Sequence, residues 1–163
     1  MSEQAPPEKT VRTIALLLAL LAFGTYWRAG TCDFVNLDDN VYVYENPVVT
    51  QGLTWHGVKW AFGADLLFRT EYSDYWMPLT ICSRMLDVQM FGMNPTGHHL
   101  VNVMLHVAAA VLTFVVLARL SGRPWPSAFV AALFAVHPLH VESVAWVTER
   151  KDVLSTVFWW LSI

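Results

Sequence analysis

The stretch Leu100-Val-Asn-Val-Met-Leu-His-Val-Ala-Ala-Ala-Val-Leu-Thr-Phe-Val-Val-Leu117 decides the fold. It lies inside a longer segment, residues 88–118, that contains no charged side chain. A helix rises 1.5 Å per residue, so about 20 apolar residues cross the hydrocarbon core of a bilayer. The stretch therefore predicts a membrane-spanning helix, which ends at the basic residues Arg119 and Arg123.

The composition of the whole chain also indicates a membrane protein. Of its 163 residues, 55% are hydrophobic and 14% are charged, and the mean hydropathy is +0.42. Soluble domains carry about 25% charged residues. The net charge is −3 and no basic run exceeds two residues, whereas nucleic-acid binding needs a basic surface. We therefore expect membrane lipid, and no nucleic acid, as a partner.

Apolar segments on both sides of this helix predict an all-α polytopic membrane protein. The first segment ends in Trp27 and Arg28, which suit a membrane interface, although a cleaved signal peptide is an alternative. Basic residues before this segment and at positions 119–125 predict that both regions are cytoplasmic. The predicted order is a cytoplasmic tail (1–12), a first span (13–28), an outer loop (29–97), a second span (98–118), a cytoplasmic turn (119–125), a third span (126–138), an outer loop (139–152) and the start of a fourth span (153–163). Because this last segment is too short to cross a bilayer, we expect the protein to continue beyond it.

The long loop, residues 29–97, is acidic and is interrupted by Pro and Gly. We predict that it carries short interfacial helices over residues 54–62 and 77–90. Cys32 and Cys82 are too few and too far apart for a metal or redox motif; one disulfide and two free thiols both remain open. Its acidic and aromatic residues include Asp65, Phe68, Glu71, Tyr72 and Asp74.

The pair Asp38-Asp39 is the strongest candidate for a catalytic group. Adjacent carboxylates near a membrane surface can provide a general base, which takes a proton from a reacting hydroxyl. The alternative is a turn or a helix cap, because Asp and Asn are favoured in both.

The second span carries a polar stripe. At 100° per residue, His99, Asn102, His106 and Thr113 lie within about 60° of one another. Polar groups in a spanning helix face the protein interior, so ordinary packing and a substrate cavity are both consistent with the stripe. We expect no metal there, because no carboxylate shares the helix.

A second polar segment follows the third span, where His137-Pro138 interrupts the helix. Arg150 and Lys151 could bind a phosphate, Arg through two parallel hydrogen bonds and Lys as a point charge. A solvated turn between two helices is the competing interpretation. The candidate substrate-binding residues of this segment are His137, His140, Glu142, Glu149, Arg150, Lys151 and Asp152.

Four strings in order resemble a known family. They are Phe34-Val-Asn-Leu-Asp-Asp-Asn40, Tyr75-Trp-Met-Pro-Leu-Thr80, Leu86-Asp-Val-Gln-Met-Phe-Gly-Met-Asn-Pro-Thr-Gly-His-His-Leu100 and His137-Pro-Leu-His-Val-Glu-Ser-Val-Ala-Trp-Val-Thr-Glu-Arg-Lys-Asp152. Together they resemble the N-terminal membrane region of the transmembrane and tetratricopeptide-repeat proteins. These are GT-C-type glycosyltransferases related to protein O-mannosyltransferases.

This resemblance implies a GT-C-like fragment that transfers a sugar, such as mannose, from a polyprenyl-phosphate donor to a protein or glycan hydroxyl. The acidic pair of the first outer loop, here Asp38-Asp39, would supply the base, and we favour Asp38. The resemblance implies no cofactor and leaves a divalent metal open. It also implies further spanning helices and tetratricopeptide repeats, which this sequence lacks, so we expect the isolated fragment to lack much of the donor pocket.

Two other functions are consistent with the residues. A non-catalytic membrane anchor or scaffold would hold a tetratricopeptide-repeat domain and use the acidic loop for contacts with partners. A transporter or channel would account for His and Asn inside a span.

Overall fold

The computed structural model describes residues 8–63 and 75–163. All regular structure in these residues is helical, which confirms the predicted all-α class. Residues 1–7 of the predicted tail, and Asp65, Phe68, Glu71, Tyr72 and Asp74 of the predicted loop, lie outside the described residues. The helices are α1 (Glu8–Tyr26), α2 (Trp55–Phe62), α3 (Pro78–Phe91), α4 (Pro95–Ser121), α5 (Pro124–Val136), α6 (His140–Ala145) and α7 (Arg150–Leu161).

Two of these helices are long and apolar enough to cross a bilayer. The first candidate span, Glu8–Thr31, has 24 residues and combines α1 with a 3-10 turn; the second, α4, has 27 residues. α1 exposes a face of leucine side chains, including Leu16 at 61% and Leu20 at 60% exposure. Lipid chains solvate such a face, whereas water does not.

α1 begins at Glu8, ahead of the predicted start at residue 13, so residues 8–12 of the predicted tail are helical. Glu8 lies in the first turn, where the helix dipole favours a negative charge. Its carboxylate also pairs with Arg12 one turn later, with 2.6 Å between Oε1 and Nη2.

α1, α4 and α5 pack together through small side chains. Ala22 of α1, Ala109 and Ala110 of α4, and Ala131 and Ala135 of α5 are all completely buried. In a bilayer the apolar tails compete equally for apolar side chains, so close packing of small residues drives helix association. These alanines therefore account for the contact between the three helices.

Both ends of α4 have local stop signals. Asn94 caps the N-terminus, because its Oδ1 accepts a hydrogen bond from Thr96 N at 3.1 Å, and Pro95 occupies the first turn. Gly122 ends the helix in the left-handed region at φ +68°. Pro124 then opens α5, so the predicted turn at residues 119–125 contains the last residues of α4 and the first of α5.

α5 ends at Val136, because His137 precedes a proline and is extended at ψ 129°. The following residues were predicted as a loop, but part of that segment forms α6 (His140–Ala145). A short extended connection then leads to α7, which begins at Arg150. We call the end of the bundle at which α4 and α7 begin and α5 ends the loop end.

α2 and α3 form a small unit with its own core, built from Val49, Ala61, Ile81 and Met85. They occupy residues 55–62 and 78–91, within one residue of the two interfacial helices predicted in the loop. Thr54 caps α2 through a hydrogen bond from Gly57 N to its Oγ1 at 3.0 Å. This unit lies at the loop end, where α3 contacts both α4 and α7.

Candidate functional site

Asp39 connects the acidic pair of the long loop to the polar segment that follows the third span. Its Oδ1 accepts hydrogen bonds from the backbone N of Thr148 at 3.0 Å and from the Oγ1 of Thr148 at 2.5 Å. Its Oδ2 accepts a third from Val35 N at 2.9 Å. Asp39 is fully buried. A buried carboxylate needs such donors, and these bonds hold the loop against residue 148.

Unlike Asp39, Asp38 is only half-buried, and it lines a pocket of about 220 Å³. Glu149 and Lys151 line the same pocket, although they lie more than 100 residues further along the chain. The Lys151 ammonium forms an ion pair with the Glu149 carboxylate. The pocket therefore presents a carboxylate that can accept a proton next to a cation that can hold an anion. The remaining lining residues are Tyr42, Tyr75, Met77 and Thr148.

A larger apolar groove of about 520 Å³ adjoins this pocket, and Met77 and Lys151 line both. The groove lies between α3 and α7. Among the described residues that line it, Lys151 is the only charged one. The charged pocket and the apolar groove thus meet at the ammonium group of Lys151. The other lining residues are Phe62, Trp76, Pro78, Leu79, Thr80, Leu154, Ser155 and Phe158.

Arg150 points away from both cavities and is completely buried. Its Nη2 lies 2.5 Å from Asp87 Oδ2 and donates to His98 O at 2.9 Å. Its Nε donates to Asn102 Oδ1 at 2.7 Å. Protein groups thus engage the guanidinium of Arg150, whereas Lys151, the other residue expected to bind a phosphate, lines a cavity.

A second buried arginine, Arg84, supports the same region from α3. Its Nη2 donates to Thr148 O at 2.5 Å, and its guanidinium lies 5.3 Å from the centre of the Tyr42 ring. Burial, together with the nearby Arg150 charge, lowers the pKa of Arg84 to about 10. Thr148 is therefore held from one side by Asp39 and from the other by Arg84.

The polar stripe of α4 lies in the interior, as the sequence predicted, and bonds mainly to backbone carbonyls. His99 Nε2 is 3.4 Å from Asp33 O, Asn102 Nδ2 donates to Trp146 O at 3.0 Å, and His106 Nε2 is 3.1 Å from Ala135 O. His99 and Asn102 thus attach the loop segments to α4, while His106 also lines a cavity.

The remaining candidates lie apart from the pocket of Asp38. His137 and Glu142 are exposed, and His137 O accepts a hydrogen bond from Tyr26 Oη at 3.2 Å. His140 and Asp152 line a separate pocket that also contains His106. Of the predicted substrate-binding residues, only Glu149 and Lys151 share a pocket with Asp38.

Sequence comparison finds relatives of this chain in Mus musculus, Homo sapiens and Drosophila melanogaster. It is 34% identical over 155 residues to protein O-mannosyl-transferase TMTC1 of Mus musculus, an alignment that covers 91% of this chain and 16% of the relative. It is 32% identical over 164 residues to protein O-mannosyl-transferase TMTC4 of Homo sapiens, which covers 90% of this chain and 22% of the relative. The chain is related to the TMTC protein O-mannosyl-transferases. This finding confirms the resemblance drawn from the four strings, whereas the alignments do not address tetratricopeptide repeats.

The TMTC relationship is strongest over part of the chain, which is 44% identical over 87 residues to Tmtc1 of Drosophila melanogaster, covering 53% of this chain and 10% of the relative. The chain spans between 10% and 22% of the length of these three TMTC relatives. No protein-family profile matches the chain. No solved structure matches it either. The two helices that are able to span a bilayer and the relationship to the TMTC proteins together indicate a membrane protein.

Several residues of the site were not among the sequence candidates. Asp87, Met77 and Thr148 stand in the strings that resemble the family but were given no role, and Arg84 was not singled out. A signal for Arg84 and Asp87 was their spacing of three residues, which places both on one face of a predicted helix. For Thr148 and Met77 the strings mark the positions but not the role, because that role depends on contacts with distant segments.

Within the described ranges, no three His, Cys, Asp or Glu side chains are placed to hold a metal ion. Cys32 is exposed and Cys82 is half-buried, and both are free thiols, which settles the alternative left open by the sequence. Burial raises the pKa of the Cys82 thiol, so this thiol is less reactive than an exposed one.

Proposed function

We propose that this chain contributes the acidic half of the active site of a membrane mannosyltransferase. The enzyme would move mannose from a polyprenyl-phosphate donor to a hydroxyl acceptor such as a protein Ser or Thr. One observation carries the proposal: Asp38, Glu149 and Lys151 line a single pocket that opens next to an apolar groove. The TMTC relatives are named protein O-mannosyl-transferases, which supports the choice of reaction.

In this proposal Asp38 is the general base. The acceptor oxygen attacks the anomeric carbon of mannose while the bond between that carbon and the phosphate oxygen breaks. The acceptor proton passes to the Asp38 carboxylate, and polyprenyl phosphate leaves with the bonding electrons, so the configuration at the anomeric carbon inverts. A general base contributes about 10² to 10⁴ in rate.

Lys151 would meet the donor phosphate. Its ammonium is a mobile point charge with three donors and it lines both cavities, so it can leave Glu149 for a phosphate of higher charge. Glu149 holds the ammonium in place when no donor is bound. Arg150 cannot take this role, because its donors are directed to Asp87, His98 and Asn102.

The polyprenyl chain would lie in the groove between α3 and α7. The groove is lined almost entirely by apolar side chains, and its charged end is Lys151. A phosphate at Lys151 therefore places the first isoprene units beside Leu154 and Phe158, while the sugar points towards Asp38. Burial of apolar area contributes about 25 cal/mol per Å², so a lipid tail adds affinity without further polar contacts.

We also propose a multi-pass topology with this site at the outer face. Asp39 contacts Thr148, so the acidic loop and the segment around Lys151 lie at one end of the helices. Arg119 and Arg123 lie at the other end, where positive charge favours the cytoplasm. The N-terminus and this turn would then be cytoplasmic.

The test uses the longest natural protein that contains this chain, expressed in membranes with labelled mannosyl-phosphoryl-polyprenol. Asp38→Asn should reduce incorporation at least about 100-fold while the protein level is unchanged. Asp33→Asn, a change at an exposed carboxylate outside the pocket, is the matched control and should retain activity. Equal incorporation by Asp38→Asn and the unmodified protein would remove the assigned base and favour the membrane-anchor alternative.

A further inference from the structure

A second polar pocket, of about 180 Å³, lies behind α7. Lys151, Leu154 and Phe158 line the groove on one side of this helix, whereas Asp152, Val153 and Thr156 face the second pocket. The two cavities share no lining residue, so the second pocket is a separate site. Its polar and aromatic lining consists of His106, Phe134, His140, Ser143, Asp152 and Thr156.

The hydrogen-bonding groups of this pocket are mostly acceptors. His106 Nε2 lies 3.1 Å from Ala135 O, and a carbonyl only accepts, so Nε2 carries the proton and Nδ1 is left as an acceptor. The Ser143 hydroxyl donates to Asp152 Oδ2 at 3.0 Å, and the Thr156 hydroxyl donates to Asp152 O at 2.7 Å. Both hydroxyl oxygens therefore keep free lone pairs.

Asp152 adds carboxylate acceptors without a cation to balance them. Its two basic neighbours in the chain are engaged elsewhere, Arg150 with Asp87 and Lys151 with Glu149. In the part of the chain that the structure describes, no basic side chain pairs with Asp152. A ligand for this pocket must therefore bring donors of its own.

One wall of the pocket is aromatic. The Phe134 ring stacks against His106 with 5.3 Å between centroids and lies 4.4 Å from the His140 ring. The pocket volume is about six times the volume that one water molecule occupies in liquid water. This volume suits a single small ring and not an oligosaccharide. An apolar wall opposite several acceptors matches a sugar, which has a face of C–H groups and a rim of hydroxyl donors.

We infer that this pocket binds one neutral hexose unit as a sugar subsite separate from the pocket of Asp38. The inference goes beyond the proposed transfer reaction, and it rests on that proposal only for the choice of mannose as the sugar. Asp152, Ser143 and Thr156 accept from the sugar hydroxyls, His106 accepts through Nδ1, and the C–H face of the sugar lies against Phe134.

The test is saturation-transfer NMR on the chain in lipid nanodiscs, with methyl α-mannopyranoside as the probe. A ligand as small as this monosaccharide should bind with a dissociation constant on the order of 1 mM. Thr156→Val removes the acceptor but keeps the shape, and should weaken binding about three- to tenfold; Thr156→Ser should restore it.

Asp38→Asn separates this inference from the proposed function. In the Asp38→Asn background we expect Thr156→Val to weaken probe binding by the same factor as in the unmodified chain, because Thr156 lies in the other pocket. Loss of binding in Asp38→Asn would assign the probe to the pocket of Asp38 and overturn the inference. Two further results would also overturn it: no saturation transfer from the unmodified chain to the probe at a probe concentration about twenty times the expected dissociation constant, or equal binding by Thr156→Val and Thr156→Ser.

Discussion

Replacement of Arg150 by methionine tests the buried charges that support the site. Arg150 is completely buried, and its guanidinium is the cation 2.5 Å from the Asp87 carboxylate. Methionine keeps most of the apolar length but removes the charge and all the donors. Asp87 would then remain as a carboxylate that is only 2% exposed and has lost its arginine partner.

The expected cost follows from that uncompensated charge. Removal of one partner of a buried ion pair costs about 3 to 5 kcal/mol. In a protein of this size each kcal/mol shifts the melting temperature by about 2 to 4 °C, which predicts a fall of roughly 6 to 20 °C. Burial already raises the pKa of Asp87, an effect opposed by Arg150 and His98, so without Arg150 the carboxyl would take up a proton more readily.

The assay is thermal unfolding of the purified chain in one detergent, with Arg123→Met as the matched control. Arg123 is exposed at the opposite end of α4, so its replacement should change the melting temperature by little. The double variant Asp87→Leu/Arg150→Met should recover much of the lost stability, because neither partner of this ion pair then remains as a buried charge without its counter-ion. If Arg150→Met melted together with Arg123→Met, or if the double variant melted at or below Arg150→Met, the reasoning would be refuted.

Three further predictions concern other contacts. Asp39→Ala removes the acceptor of three hydrogen bonds and should cost about 2 to 4 kcal/mol, detected as faster amide exchange at Thr148. Burial lowers the pKa of His140, so its NMR titration in the folded chain should have a midpoint below 6.5. The contribution of neutral His140 to stability is then fully present above pH 6.5 and is lost as the pH falls from 6.5 through that midpoint. Gly97→Ala should cost about 1 to 3 kcal/mol in thermal unfolding, because an added Cβ would lie 2.3 Å from Phe91 Cγ.

Each of these predictions has a clear opposite outcome. Unchanged exchange in Asp39→Ala would show that the loop is held by other contacts. A midpoint for His140 at or above 6.5 would contradict its burial. For Gly97→Ala the control is Gly24→Ala, which has open space around the new Cβ and should be neutral or slightly stabilising. Equal melting of these two variants would contradict the steric argument.

Much of the fold could be predicted from the sequence because its signals are local. Apolar length predicts α1 and α4, and proline and glycine predict where α4 and α5 begin and end. The capping residues Thr54 and Asn94 act on groups two or three positions away. α6 was missed because six residues after a proline give too short a pattern to be distinguished from a turn.

The site was only partly predictable, since it depends on contacts between distant segments. The sequence singled out both Asp38 and Asp39 but could not show that one is half-buried in a pocket and the other is a buried acceptor. It likewise gave Arg150 and Lys151 the same role. Which of two adjacent residues faces a cavity depends on the direction of the backbone at that point, and this is fixed by partners such as Thr148 and Asp87.

The bond between Asp39 and Thr148 also constrains the order of assembly. The two residues are 109 positions apart, and ribosomes add about 5 to 20 residues per second, so Asp39 waits roughly 5 to 20 seconds for its partner to be synthesised. During that interval the Asp39 carboxylate lacks the two hydrogen-bond donors of Thr148 and stays hydrated. The early loop can therefore reach its final position only after nearly the whole described chain has emerged, which makes this stage of biosynthesis a window for chaperones or for misassembly.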